Sequence, residues 1–271
     1  MSATTSSEPA LGHAFRAAAA EGRAALVPYV TAGHPAAGDT VALLAGLADD
    51  GADVLEMGVP FSDPLADGPT IQRSSFEAIR AGVDLAWTLD ALALFRARRD
   101  TPVVLFTYLN PVLRYGVDRF LDDARAAGAQ GLLLTDLPVG ADPELEGCIR
   151  ASTLELVRLV APTTTPERAR EIVAEAQGFL YYVSRMGVTG ARSELQPRLA
   201  EEVRALRAVA SVPVAVGFGI STPEQAAAVA RVADGVVVGS ALVEALERGG
   251  PEEGRRFVRS LRTAVEGAGR A

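Results

Sequence analysis

Eight short apolar runs recur along this chain and alternate with longer, alanine-rich amphipathic stretches. The runs are ALVPYVTAG (25–33), ADVLEMGVP (52–60), PVVLFTYLNP (102–111), GLLLTDLP (131–138), LELVRLVAP (154–162), FLYYVSRMG (179–187), VPVAVGFG (212–219) and DGVVVGSAL (234–242). Each is apolar on both faces through its middle, as a parallel strand covered by helices must be. Helical periodicity fills the intervals near 36–50, 84–99, 117–127, 142–151, 166–176, 194–208 and 223–231. Thr165-Pro166 and Thr222-Pro223 carry a capping residue followed by a first-turn proline. Further helical stretches precede the first strand (11–22) and close the chain (251–267).

Eight βα units predict an α/β fold, a (β/α)8 TIM barrel with an extra N-terminal helix. A doubly wound open sheet would show fewer strands and a half-polar edge strand, and neither is present. The 271 residues suit one such domain over 11–268, with residues 1–10, MSATTSSEPA, as a loose tail. That tail lacks the basic start and apolar run of a signal peptide, and no stretch is apolar enough to span a bilayer. The net charge of −8 disfavours nucleic acid or an anionic membrane as partner. The single cysteine, Cys148, excludes an intrachain disulfide and fits a helix-face residue in a reducing, cytoplasmic setting.

Two inserts stand out: residues 61–83 after the second strand and residues 186–197 after the sixth. Both fall at C-terminal strand ends, the face on which barrel enzymes build active sites, and long loops there often act as lids. The second strand, in VLEMGVPFSDPLADGPT (54–70), holds Glu56 where the pattern calls for an apolar residue. Alternation puts Val54, Glu56 and Gly58 on one face. If that face is the lumen, burial raises the carboxyl's pKa and suits it to general acid/base work. The other reading is a carboxylate paired with an arginine or held by backbone N–H groups. Asp63 and Asp67 follow on a Pro- and Gly-punctuated loop able to fold over the barrel mouth, although each loop aspartate also suits a turn.

Glycine clusters follow the last three strands: Gly187-Val188-Thr189-Gly190, Gly217-Phe218-Gly219 and Gly239-Ser240. Loops after strands seven and eight, with a helix N-terminus to which Ser240 could contribute, suit a phosphate group; turn punctuation is the alternative. GFGIST lacks the third glycine of a dinucleotide fingerprint. Tyr29, Phe61, Phe106, Tyr108, Tyr181, Tyr182 and Phe218 lie on or just after strands, and Tyr181 and Tyr182 must face opposite sides. An apolar slot beside a phosphate grip implies a substrate with an aromatic half and a phosphorylated half. His13 reads as structural or exposed and His34 as part of a loop. No ligand set has metal-binding spacing. The chain contains no lysine, so it can form neither a Schiff base nor a pyridoxal-phosphate aldimine.

Glu56-Met57-Gly58-Val59-Pro60-Phe61-Ser62-Asp63-Pro64-Leu65-Ala66-Asp67-Gly68-Pro69 resembles the signature of the tryptophan synthase alpha chain, as do Ser184-Arg185-Met186-Gly187-Val188-Thr189-Gly190 and Gly217-Phe218-Gly219-Ile220-Ser221. The resemblance spans roughly 11–268. It implies a lyase of tryptophan biosynthesis that splits indole-3-glycerol phosphate into indole and glyceraldehyde 3-phosphate. Glu56 matches the general acid/base and Asp67 the carboxylate facing the indole N–H. Gly190, Gly219, Gly239 and Ser240 match phosphate-binding positions. Tyr29, Ile71, Tyr108, Tyr181 and Phe218 match the indole pocket and its supports, while Thr189 matches a residue ordering the lid and orienting Asp67. The resemblance also implies a β-chain partner holding pyridoxal phosphate, an α2β2 heterotetramer, and no cofactor in this chain. Loops 61–67 and 110–116 would form the contact surface, with Asp63 reaching across it. Other readings are a different phosphosugar isomerase or metal-dependent aldolase, a silent barrel that only activates a partner, or a lyase acting alone.

Overall fold

The computed structural model describes residues 9–184, 197–217 and 219–269. Helix α1 (Ala10–Ala20) precedes β1 (Ala25–Thr31), and α2 (Thr40–Asp49) leads to β2 (Leu55–Gly58). The insert that follows contains α3 (Pro69–Arg80); α4 (Leu85–Arg96) then returns the chain to β3 (Val103–Thr107). Next come α5 (Leu109–Tyr115), α6 (Val117–Ala126), β4 (Gly131–Leu134) and α7 (Pro143–Ala151). Strands β5 (Glu155–Leu156) and β6 (Arg158–Val160) are followed by α8 (Pro166–Ala174), β7 (Leu180–Val183) and α9 (Pro197–Val209). The chain ends with β8 (Val214–Gly217), α10 (Pro223–Ala230), β9 (Gly235–Val238) and α11 (Ser240–Glu266).

The strands run in the order β5-β4-β3-β2-β1-β9-β8-β7-β6, and the strand pairs are parallel. Strands β5 and β6 are two parts of one stave. Its first half pairs with β4 and its second with β7, and Val157 between them donates to the Leu132 carbonyl at 2.9 Å. The described strands therefore form eight staves, and the fifth closes the predicted (β/α)8 cylinder by changing partner midway.

Strand alternation sorts the side chains into two layers. Val27, Val54, Val104, Leu133, Val157, Tyr181, Ala215 and Val237 pack inside the cylinder, whereas Leu26, Leu55, Met57, Leu105 and Tyr182 pack outward among helix residues. Helix α1 plugs the N-terminal mouth: Leu11, Phe15 and Ala18 belong to the inner layer. Gly131 and Gly235 leave space for this plug, since a Cβ there would lie 2.7 Å from Leu11 Cδ1 and 2.6 Å from Phe15 Cε1. The Leu11 N–H donates to Glu155 Oε1 at 2.9 Å, tying the plug to the fifth stave.

Helix starts follow the capping residues. Asp84 accepts from the Trp87 N–H, Asp142 from Leu145, Thr165 from Arg168 and Thr222 from Gln225, at 2.9–3.3 Å. One element differs from the sequence reading. Segment 110–116, expected as loop, lies largely within α5, whose first N–H donates to Asp136 Oδ1 at 2.7 Å and whose Val112 is buried. Helix α11 is two helical stretches joined at a kink: one begins at Ser240, and the closing helix expected over 251–267 follows Gly249 and Gly250, which leave helical geometry, Gly250 at φ 67°, ψ −163°, a conformation open essentially only to glycine. Cys148 lies exposed on α7.

Candidate active site

Glu56 sits in the middle of β2, its Cα in register with Tyr29 on β1, and its side chain points into the cylinder. It is 1% exposed, and its Oε1 is buried without a hydrogen-bond partner. Burial alone pushes its carboxyl up to about 8. The alternative of a carboxylate compensated by an arginine or by backbone N–H groups therefore does not describe this residue. At neutral pH Glu56 is mostly a neutral acid, held where its proton can be given up only to something that enters the cavity.

Asp67 reaches the same cavity from the loop between β2 and α3. The loop closes on itself through Leu65 N–H to Asp63 O at 2.9 Å and Asp67 N–H to Pro64 O at 3.0 Å. Tyr108, just after β3, anchors it: its hydroxyl accepts from the Ala66 N–H at 3.0 Å, and its ring packs against Phe61 with centroids 5.1 Å apart. Burial raises the Asp67 carboxyl to about 6, with the Tyr108 hydroxyl pulling the other way. Near pH 7, Asp67 is mostly ionised and Glu56 mostly protonated. One enclosed space thus holds a proton donor and a negative acceptor set apart by their environments.

The walls between them are apolar. Tyr29, Ile71, Phe106, Tyr181, Ile220 and Val237 line a cavity of about 150 Å³, with Tyr29 and Phe106 meeting edge to face at 5.3 Å and 76°. Two tyrosines reach over neighbouring strands that end in glycine. A Cβ on Gly58 would lie 2.1 Å from Tyr29 Oη, and one on Gly217 would lie 2.2 Å from Tyr181 Oη. Gly217 makes room for an aromatic ring, and it is Gly219 that lines the cavity.

The opposite end suits an anion. Gly219 (φ 77°), Ile220, Ser221, Gly239, Ser240 and Ala241 border the cavity, and α11 begins there with no side-chain cap. The Leu242 and Val243 N–H groups turn back to Gly239 O at 2.8 and 3.1 Å. Those of Ser240 and Ala241, at the positive end of the helix, have no intrahelical acceptor. Glu244, one turn along α11, also borders the cavity and accepts from Thr70 Oγ1 of α3 at 3.1 Å.

Of the residues singled out from the sequence, Tyr29, Glu56, Asp67, Ile71, Tyr181, Gly219, Gly239 and Ser240 come together here. Tyr108 supports from behind the loop. Thr189, Gly190 and Phe218 lie outside the described residues. Asp63 is exposed on the loop, and Tyr182 faces the helices, its hydroxyl donating to Glu202 on α9 at 2.5 Å. His34 is buried beside Glu77 of α3 and Glu247 of α11, off the cavity. Among the described residues no group of three or more His, Cys, Asp and Glu could hold a metal ion. Sequence reasoning missed Gly68, Ser221, Ala241 and Glu244. The last two follow from Ser240 by the turn of the helix that begins there.

Comparison with known proteins agrees with this geometry. The family model of the tryptophan synthase alpha chain matches residues 15–268. The alpha chain of Geobacter sulfurreducens is 50% identical over 247 residues, covering 90% of this chain and 94% of its own length. That of Desulfatibacillum aliphaticivorans is 44% identical over 260 residues, covering 94% and 98%. A structure of Mycobacterium tuberculosis tryptophan synthase superposes with a TM-score of 0.87 at 42% identity, covering 94% and 98%. The alpha subunit from Legionella pneumophila superposes at 0.89 and 36% identity, covering 96% and 100%. With half its residues shared with such a relative over nine-tenths of its length, this chain belongs to the tryptophan synthase alpha chain family.

Proposed function

We propose that this chain cleaves indole-3-glycerol phosphate to indole and glyceraldehyde 3-phosphate, as the α subunit of a tryptophan synthase. The observation that carries this reading is Glu56: neutral, uncompensated and buried in the wall of a cavity that also holds Asp67. Glu56 gives its proton to C3 of the indole ring, leaving positive charge on the ring that Asp67 steadies from the N–H side. The Glu56 carboxylate then takes the proton of the glycerol hydroxyl next to the ring. The carbon–carbon bond breaks, its electron pair restores the aromatic ring, and the hydroxyl carbon leaves as the aldehyde. Positioned acid/base groups contribute about 10²–10⁴-fold. With no lysine in the chain, the carbonyl is never held as a Schiff base.

Tyr29, Ile71, Tyr108, Tyr181 and Phe218 form or support the indole slot. Gly190, Gly219, Gly239 and Ser240 hold the phosphate, the last two through the N-terminus of α11. Thr189 orders the loop over Asp67. The single barrel domain over 11–268 carries no cofactor of its own. Its partner is a β chain holding pyridoxal phosphate, in a cytoplasmic α2β2 assembly. The exposed Leu65, beside Asp63, and Leu113 on α5 supply apolar area for that contact.

Incubating the pure chain with indole-3-glycerol phosphate, with and without a β chain, tests the reading. Indole and glyceraldehyde 3-phosphate should appear in equal amounts, faster with the partner. A barrel that only activates its partner would release no indole in either case.

A further inference from the structure

Helix α3 keeps its place on the barrel largely through polar contacts. Of its three large apolar side chains, Ile71 is buried, whereas Phe76 and Ile79 are 59% and 36% exposed; the rest of its inward face is Ser74, Ser75 and Ala78. Ile71 packs with Tyr29 and with Val243 of α11, and Ser74 Oγ lies 2.7 Å from Thr31 Oγ1 on β1. Two bridges then run from α3 to α11. Thr70 Oγ1 donates to Glu244 Oε1 at 3.1 Å, and Arg73 donates through Nε and Nη2 to Glu247 Oε1 and Oε2 at 3.0 and 2.8 Å. Residues three apart lie on one side of a helix, so the bridges are successive rungs, one turn apart on both helices. The second rung resists rotation of α3 about the first. An exposed ion pair contributes little stability on its own, but a bidentate one fixes geometry.

The two helices carry opposite ends of the cavity. Asp67, Gly68 and Ile71 enter it from the loop and first turn of α3, and Ser240 and Ala241 from the first turn of α11. Gln72 ties α3 to the loop, its Nε2 donating to the Asp67 carbonyl oxygen at 2.9 Å. A shift of α3 along α11 therefore changes the distance from Asp67 to the α11 N-terminus. We propose that Arg73 and Glu247 are positioning residues that set this distance, and with it the length of chain accepted between an aromatic ring and a phosphate. The inference rests on the lyase reading above, in which Asp67 meets the indole N–H and the α11 N-terminus meets the phosphate. Neither Arg73 nor Glu247 lines the cavity, so both act through placement. Each half of the substrate asks only for its own end of the cavity; the two halves joined also ask for the right span. Joining them gains affinity only where the link matches the separation of the sites.

The test is titration calorimetry of wild type, Arg73→Gln, Glu247→Gln and the double variant. The probes are indole, glycerol 3-phosphate, and indole joined at C3 to a phosphate ester through two, three or four saturated carbons, three being the number in the substrate. Wild type should bind the three-carbon compound most tightly. Each single variant should keep its affinity for indole and for glycerol 3-phosphate within about twofold, yet lose roughly tenfold for the three-carbon compound, so that the preference over its homologues shrinks. The two substitutions remove charges of opposite sign. A lost bridge moves affinity the same way in both, whereas a field acting on the phosphate moves it in opposite ways. The double variant should bind no more weakly than either single one, because the bridge is already gone. An unchanged length preference, shifts of opposite sign, additive losses in the double variant, or an equal loss for glycerol 3-phosphate alone overturns the proposal. If wild type binds none of the probes, the lyase reading fails and takes this inference with it; if wild type binds them and the variants bind them equally well, the inference alone fails.

Discussion

A glutamate costs stability in the wall of a closed barrel, and at Glu56 the sign of that cost follows from its raised pKa. Below about pH 4.5 the carboxyl is neutral in both folded and unfolded chains, and folding is indifferent to it. As pH rises from there to about 8, the unfolded chain ionises while the folded one keeps its proton, so the native state loses ground; above about 8 the loss is complete. Glu56→Gln removes the titration. It should stabilise the fold at pH 9 by on the order of a few kcal/mol relative to wild type and scarcely at all at pH 4, as measured by urea unfolding at both pH values. Glu56 was legible in the sequence because a carboxylate interrupts an otherwise apolar strand. The buried contact between the Thr31 and Ser74 hydroxyls, 2.7 Å apart, was not: forty-three positions separate them, and a hydroxyl on a strand gives no sign of which helix residue it will meet.

Among the elements, what decides the pocket is the pairing of a tyrosine with a strand-ending glycine next door. Tyr29 crosses to Gly58 on β2, and Tyr181 crosses to Gly217 on β8. Gly58→Ala sets a methyl into the space of the Tyr29 hydroxyl. It should cost about 1–3 kcal/mol of stability as overpacking and weaken indole binding, measured by denaturation and by titration with indole. Unchanged stability and affinity would mean that the ring has another place to go. The sequence presented Gly217 as one glycine of a phosphate loop, because a glycine at a strand end looks the same whether it admits an anion or a ring. The eight staves were legible from apolar runs, and two helix starts from Thr165-Pro166 and Thr222-Pro223. Helix α5 was not, since seven residues with a proline inside them read as a turn. The closing helix was legible from about 251, because Gly249-Gly250-Pro251 ends one helical stretch and opens the next.

At the scale of the whole molecule the barrel has a sealed floor and a chemical mouth. Helix α1 drives Phe15 against Phe179, ring centroids 5.1 Å apart, at the end of the cylinder away from the C-terminal strand ends that carry the site. Phe15→Ala should cost about 3–5 kcal/mol and lower the thermal midpoint, while kcat/KM at temperatures where the variant is folded stays near wild type. A loss of turnover without loss of stability would show that the plug communicates with the mouth. The overall architecture was open to reading from sequence because both faces of each stave are buried, and that demand is written into composition. The contents of the mouth were half open, since loops meet there in ways that periodicity does not encode.

The central claim is that a neutral, buried Glu56 supplies the proton that releases indole. The direct measurement is indole release from indole-3-glycerol phosphate by wild type and by Glu56→Gln, both folded and both binding glycerol 3-phosphate equally, across pH 5–10. Wild-type kcat/KM should fall as pH rises through about 8, where Glu56 ionises. Glu56→Gln, of the same shape but with no proton to give, should lose at least the roughly 10²–10⁴-fold that a positioned acid contributes. Turnover by Glu56→Gln within a few-fold of wild type, or a wild-type rate undiminished at pH 9 and above, would contradict the account.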